Sequence, residues 1–320
     1  MMDLRRLRVL DVIRQTGTVT AAGEALHLTP SAVSQQVRQL SREMGVALLE
    51  HQGRGVRLTQ AAYVLLDRSA ALQAQWEEVR AELAAHGDGP VGTLRMCGFP
   101  TAVSGLLAPA GGRLLAEGCE VRVVETETEE SFRLLLAGET DIALVIATEG
   151  TPPLNDPRFE QLTLLDEPQD LLVPAGHPLA TRDRVELADA ARERWVSAAP
   201  GGCHQHQLIL MACSAAGFVP DVAHLTADWA AESALVANGL GVTLIPRLAA
   251  TPPEHAVVRV ELHGEPRPAR RIIACVRRGS DGQPLIARGL AALRAVAAGN
   301  LAAVQPRRTS SAPSAAVTVP

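Results

Sequence analysis

The chain has 320 residues, 47% of them apolar and 2% aromatic, with a formal net charge of −5. That length predicts more than one core, and the apolar content excludes a disordered chain. All 30 basic residues are arginine, which excludes a P-loop ATPase and a pyridoxal phosphate enzyme, because both chemistries need a lysine.

Charge is unevenly placed. Residues 1–60 hold eight arginines against five acids, whereas the remainder holds 22 against 30. A basic head on an acidic body predicts one module for a polyanion. Five cysteines are too few for a disulfide framework in a chain of this length. Arg5, Arg6, Arg8 and Asp11 interrupt the first apolar stretch, and Arg288 and Arg294 interrupt Leu285–Ala298. The reading therefore expects a cytoplasmic protein with no signal peptide and no membrane span.

In chain order, Leu4, Leu7, Leu10 and Ile13 predict a first helix ending at Gly17. Thr20 is expected to cap a short second helix through His27. After the Leu28-Thr29 break, Thr29 and Pro30 suit the N-cap and first position of a third helix, which Gly45 ends. Val33, Val37, Leu40 and Met44 give that helix a core face, while Ser31, Ser34, Gln35, Arg38 and Arg42 fall on the other. Short hydroxyls permit close approach to phosphates, and Gln and Arg can bond paired edges of adenine and guanine. A solvated amphipathic helix would show the same polar face. The glycine turn of 51–59, carrying Arg54 into a short strand, adds a wing that favours the major-groove reading.

Residues 3–66 resemble the winged helix-turn-helix of LysR-type transcriptional regulators. The stretches 17–22, 26–36, 43–50 and 56–59 carry the resemblance. It implies operator contacts by Thr29, Ser31, Ser34, Gln35 and Arg38, with Arg54 on the wing. Two positions depart from the family pattern, with Leu49 for Phe and His51 for Arg.

From Gln60 to about His86 nothing breaks a helix, and Leu65, Leu72, Trp76, Val79 and Leu83 form one apolar stripe. The resemblance implies antiparallel pairing with a second subunit, hence a homodimer and by extension a homotetramer. Residues 87–90 read as a hinge.

Beyond the hinge, strand and helix signals alternate in two sets, predicting mostly parallel α/β units. The first set is strand 91–97, helix 104–117, strand 120–125, helix 129–137 and strand 141–147. The second is strand 194–198, helix 204–216, strand 221–225, helix 229–238 and strand 241–246. Segments 162–173, 257–262 and 270–276 supply connecting strands, and 284–298 the closing helix. The expected architecture is a helix-turn-helix head (1–60), a linker helix and hinge (61–90), and two Rossmann-like α/β lobes hinged by crossing strands (91–302). A disordered tail (303–320) follows. Lobe one takes about 91–165 and 266–302, and lobe two about 166–265.

Residues 171–179 and 234–246 match landmarks of the LysR effector domain. The resemblance implies a small-molecule effector held by Phe99, Pro100, Thr101, Ala102, Thr148, Glu149, Cys203, His204, Thr226, Asp228 and Trp229. Thr101 would suit an anion, and Glu149 and Asp228 a cationic group. RNA polymerase would be a partner of an activator. The resemblance leaves an oxidant-sensing switch open for Cys203 and Cys213, but the two start about 15 Å apart along a helix, too far for a bond without remodelling, so burial is the expected role. Residues 203–206 place His204 and His206 on different faces, so no metal or cofactor is expected. In the alternative reading the lobes form a catalytic or carrier cleft and the head reads no DNA. No G-x-S-x-G, G-x-G-x-x-G or H-E-x-x-H string supports it.

Overall fold

A computed structural model describes residues 4–52, 55–86, 92–148, 150–199, 204–265 and 267–303. The head packs α1 (Leu4–Thr16), α2 (Val19–Leu26) and α3 (Pro30–Met44) beside a hairpin of β1 (Leu49–Gln52) and β2 (Gly55–Leu58). Its core takes Leu7, Leu10 and Ile13 from α1, Ala22 from α2, and Val33, Val37 and Leu40 from α3, the periodic apolar positions of the three helices, with Leu48 before β1. The cap of α2 is Thr18, which accepts from the Ala21 amide, and not the expected Thr20. Thr18 is the residue with extended backbone, so its hydroxyl can turn back onto the first helical turn. Thr29 caps α3 through the Ala32 amide and Pro30 opens it. Gly45, at φ +69°, ends it in the left-handed region that glycine adopts most cheaply.

Thr59 caps α4 (Gln60–Ala85), one uninterrupted helix of 26 residues. Its first two turns belong to the head, since Ala62 and Leu66 join the head core and Leu65 packs against it. Leu72, Trp76, Val79 and Leu83 are 41–64% exposed. Leu65 is thus separated from the stripe expected to contain it.

Lobe one begins with β3 (Thr93–Gly98). A helical run follows from α5 (Pro100–Ala102) through a π-helical turn (Val103–Leu107) into α6 (Ala108–Ala116). Pro109 explains the π turn: it has no amide to give the Gly105 carbonyl, which instead accepts from the Asn300 side chain. Then come β4 (Glu120–Glu125), α7 (Thr128–Ala137) and β5 (Ile142–Ile146). The long β6 (Phe159–Pro174) leaves lobe one and enters lobe two. There follow β7 (Val185–Glu186), β8 (Arg194–Ser197), α8 (Gln205–Ala215), β9 (Asp221–Leu225), α9 (Trp229–Ala237), β10 (Thr243–Pro246), β11 (Val257–Val260) and β12 (Leu262–His263). The chain returns to lobe one as β13 (Ala269–Arg277) and closes with α10 (Pro284–Ala303).

Strands β3, β4 and β5 are parallel, as are β8 and β9. The main sheet is nonetheless mixed, contrary to the mostly parallel expectation. β13 runs antiparallel to β5 and β6, and β6 antiparallel to β10 and β11. The two crossings between lobes impose those directions. The single strand expected over 257–262 is split, with β12 turning to pair with β7. Trp195, fully buried, centres the core of lobe two. Among the described residues no helix is long and apolar enough to cross a membrane.

One buried acid sets a pH dependence. Glu232 of α9 is 1% exposed and takes a 3.4 Å hydrogen bond from Thr243. Burial, and secondarily the charge of Asp228, pushes its carboxyl up to about 8. The folded chain therefore holds this proton more tightly than the unfolded chain. The associated stability is complete below the ordinary carboxyl range and lost as pH rises through about 8. Melting temperature should fall as pH is raised over that window, and Glu232→Gln should flatten the profile. Parallel profiles for the two proteins would show that Glu232 does not set it.

Candidate functional sites: a DNA-reading helix and an inter-lobe cleft

On α3, Ser31, Gln35 and Arg38 are exposed and Ser34 half-buried, because Val33, Val37 and Leu40 turn the opposite face into the core. The Thr29 hydroxyl both caps α3 and bonds Ser31 Oγ at 2.9 Å. The turn before α3 is tight. His27, at φ 53°, closes α2, and the Leu28 amide donates to the Gly23 carbonyl at 2.8 Å. Arg54 lies outside the described residues, while the strands on either side of it pair in register from Leu49–Leu58 to Gln52–Gly55.

The second site is built where the crossing strands pass between the lobes. Phe99, Thr101 and Ala102 are buried after β3, and Pro100 is exposed. The Arg270 guanidinium lies 5.0 Å from the Phe99 ring centroid, donates to Thr101 Oγ1 at 2.6 Å, and pairs with Glu167 at 2.5 Å. The same Glu167 accepts from the Leu248 amide of lobe two. The Thr101 hydroxyl, expected to suit an anion, is therefore engaged by Arg270, whose charge Glu167 answers. Gln205, at the start of α8, donates to Gln169 of β6 and to the Leu244 carbonyl, each at 2.8 Å. Its Oε1 is buried with no protein donor.

On the solvent side, Glu127 is exposed, and partial desolvation holds its carboxyl above the ordinary range. Ser197 Oγ and His206 Nδ1 are 3.0 Å apart. Asp228 caps α9 by accepting from the Ala231 amide, Thr226 Oγ1 accepts from the Asp228 amide, and Trp229 is half-buried against the lobe-two core. Thr148 is half-buried after β5, its amide bonded to Thr151. Glu149 and Cys203 lie outside the described residues. The residues sequence reasoning missed are Glu167, Gln169 and Arg270. The signal was there: polar side chains inside segments otherwise apolar enough to be buried strands.

Comparison with known proteins now decides the family. Residues 4–63 match the family model for the bacterial regulatory helix-turn-helix protein of the lysR family, and residues 87–309 that for the LysR substrate binding domain. The chain belongs to the LysR family. This LysR regulator is similar to the DNA-binding transcriptional dual regulator OxyR of Escherichia coli, with 30% identity over 87% of this chain and 90% of that one. It is also similar to the hydrogen peroxide-inducible genes activator of Dickeya chrysanthemi, at 27% identity over 87% and 90%. Among solved structures it shares its fold with an OxyR variant of Corynebacterium glutamicum. There the TM-score is 0.59 and identity 22%, over 94% of this chain and 93% of that chain. The protein is accordingly a DNA-binding transcriptional regulator with an effector-binding domain, and the reading of the head as inert is not favoured.

Proposed function

We propose that this regulator reads its operator with Ser31, Ser34, Gln35 and Arg38, positioned by the Thr29 cap and flanked by Arg54, and that a reversibly bound small molecule in the inter-lobe cleft controls it. The observation that carries the first part is the two-faced α3, whose apolar side is locked in the head core while its polar side stands clear. The exposed stripe of Leu72, Trp76, Val79 and Leu83 on α4 supports pairing of two copies, and two dimers would give a tetramer. RNA polymerase is the further partner if the regulator activates. The protein works where its DNA is, in the cytoplasm, and catalyses nothing.

The Dickeya relative's name refers to hydrogen peroxide. In this chain Cys213 is fully buried and burial pushes its thiol up to about 12. The thiolate is the reactive form, so Cys213 is a core residue here, while Cys203 lies outside the described residues; reversible ligand binding is the mode of control proposed. The ligand contacts are Phe99, Pro100, Thr101, Ala102, Thr148, Glu149, Cys203, His204, Thr226, Asp228 and Trp229, joined by Gln205. Glu127 with Asp228 calls for a neutral or cationic group.

Gln35→Ala should cost about 1–2 kcal/mol on the operator, five- to thirtyfold in affinity. Binding to unrelated DNA should be unchanged. Fluorescence anisotropy on both duplexes checks this, and equal loss on both would remove Gln35 as a base reader.

A further inference from the structure

The helix before the reading helix ends on a residue that its backbone does not favour. His27 closes α2 at φ 53°, and among the described residues it is the one residue other than glycine with a positive φ. Its amide donates to the Glu24 and Gly23 carbonyls, and the Leu28 amide donates to Gly23 at 2.8 Å. That pattern of bonds requires a left-handed residue at the helix end, whatever its side chain. The ends of α3 and α7 make the same demand, and there the chain places Gly45 and Gly138. Glycine meets it without strain, whereas a Cβ in that region crowds the backbone. Histidine tolerates the region better than most residues, yet it keeps part of the strain.

The fold does not use the ring. It is exposed, and it makes no hydrogen bond, ion pair or ring contact among the described residues. It stands at the head of an exposed run, His27 to Ser31, that leads into the polar face of α3. In a helix-turn-helix the first helix crosses the phosphate backbone while the second enters the major groove. The turn between them therefore passes the groove edge, where the phosphates lie. The bonds that close the turn also fix the backbone of His27 relative to α3. An imidazole carries an N–H donor in both of its protonation states, so a ring there can hold a phosphate oxygen without titrating.

From this geometry we infer that His27 is a phosphate contact. Its ring N–H holds one backbone phosphate in each half-site and so fixes the register of α3 in the groove. It reads no base. The strained helix end persists because the side chain works on DNA and not within the fold. The inference rests on α3 entering the groove, as proposed above.

The test uses full-length protein and fluorescence anisotropy on two duplexes of equal length, one enriched by the protein from genomic fragments and one unrelated. His27→Gly should weaken binding to both by the same factor, about tenfold. It should also raise the melting temperature, because the strain is relieved. Gln35→Ala, run in parallel, should weaken binding to the enriched duplex alone. Duplexes carrying one neutral methylphosphonate linkage at successive positions then locate the contact. In each half-site one such linkage should weaken the wild type about tenfold and His27→Gly no further. Unchanged binding by His27→Gly overturns the inference and leaves His27 as a helix end only. A loss confined to the enriched duplex overturns it too, since that is the behaviour of a base reader. So does a lowered melting temperature with the weaker binding, which would place the ring's role in the fold. If Gln35→Ala weakens both duplexes alike, the reading of α3 fails, and the methylphosphonate comparison still decides for or against His27.

Discussion

Replacing Arg270 by Met should lower the free energy of unfolding by about 3–5 kcal/mol, the usual cost of leaving one member of a buried ion pair behind. Arg270 and Glu167 are 3% and 1% exposed at their side chains, so water cannot take the place of the lost guanidinium. The effect should not stay local. Arg270 also holds the Thr101 hydroxyl and covers the Phe99 ring, and Glu167 holds the Leu248 amide of the opposite lobe. The substitution therefore loosens the place where the lobes are joined. Chemical denaturation followed by tryptophan fluorescence measures the loss. The double variant with Glu167→Leu should recover much of it, because the orphaned charge goes too. A single variant within 1 kcal/mol of the wild type would mean that the pair is not desolvated.

Gly23→Ala should damage the head as severely as any one-carbon change can. A Cβ there would sit 2.7 Å from the Leu28 carbonyl oxygen and 3.4 Å from the Pro30 nitrogen. Both are backbone atoms of the turn into α3, so no side-chain rotation relieves the clash. Overpacking of this kind costs about 1–3 kcal/mol, and the relief available is a shift of α3 away from α2. Operator affinity should fall at least tenfold, with the melting of the head lowered in parallel. Gly112→Ala is the control. It lies inside α6 with nothing within 4 Å of its would-be Cβ, and it should be neutral or gain about 0.5–1 kcal/mol. If Gly23→Ala bound the operator normally, the close approach of the two helices would not be what sets the angle of α3.

The elements of the head were legible in the sequence because each is marked twice. Val33, Val37 and Leu40 show the period of α3, and Thr29, Pro30 and Gly45 mark its ends. The parallel units were legible for the same reason, with apolar runs such as Ile142–Ile146 set off from amphipathic helices such as Thr128–Ala137. Topology was harder. Nothing local in 159–174 says that one strand serves two lobes, or that 269–277 returns antiparallel beside it. The π turn of 103–107 follows from Pro109, but only a tertiary partner, Asn300, shows where the freed Gly105 carbonyl goes. In the cleft, single residues after strand ends were readable as positions. The pairing of Arg270 with Glu167, and of Gln205 with Gln169, joins residues 103 and 36 apart in the chain. Such pairings are set by the sheet register, which a single sequence does not display.

The most direct test of the central claim is selection of fragmented genomic DNA from the source organism on the purified full-length protein, followed by sequencing. Operator reading by paired heads predicts enrichment of an imperfect dyad with half-sites spaced by about whole helical turns. The same selection with Gln35→Ala should give a weakened, relaxed dyad. Retention no greater than that of an equally charged control protein at moderate salt, with no shared motif among the fragments, would contradict it.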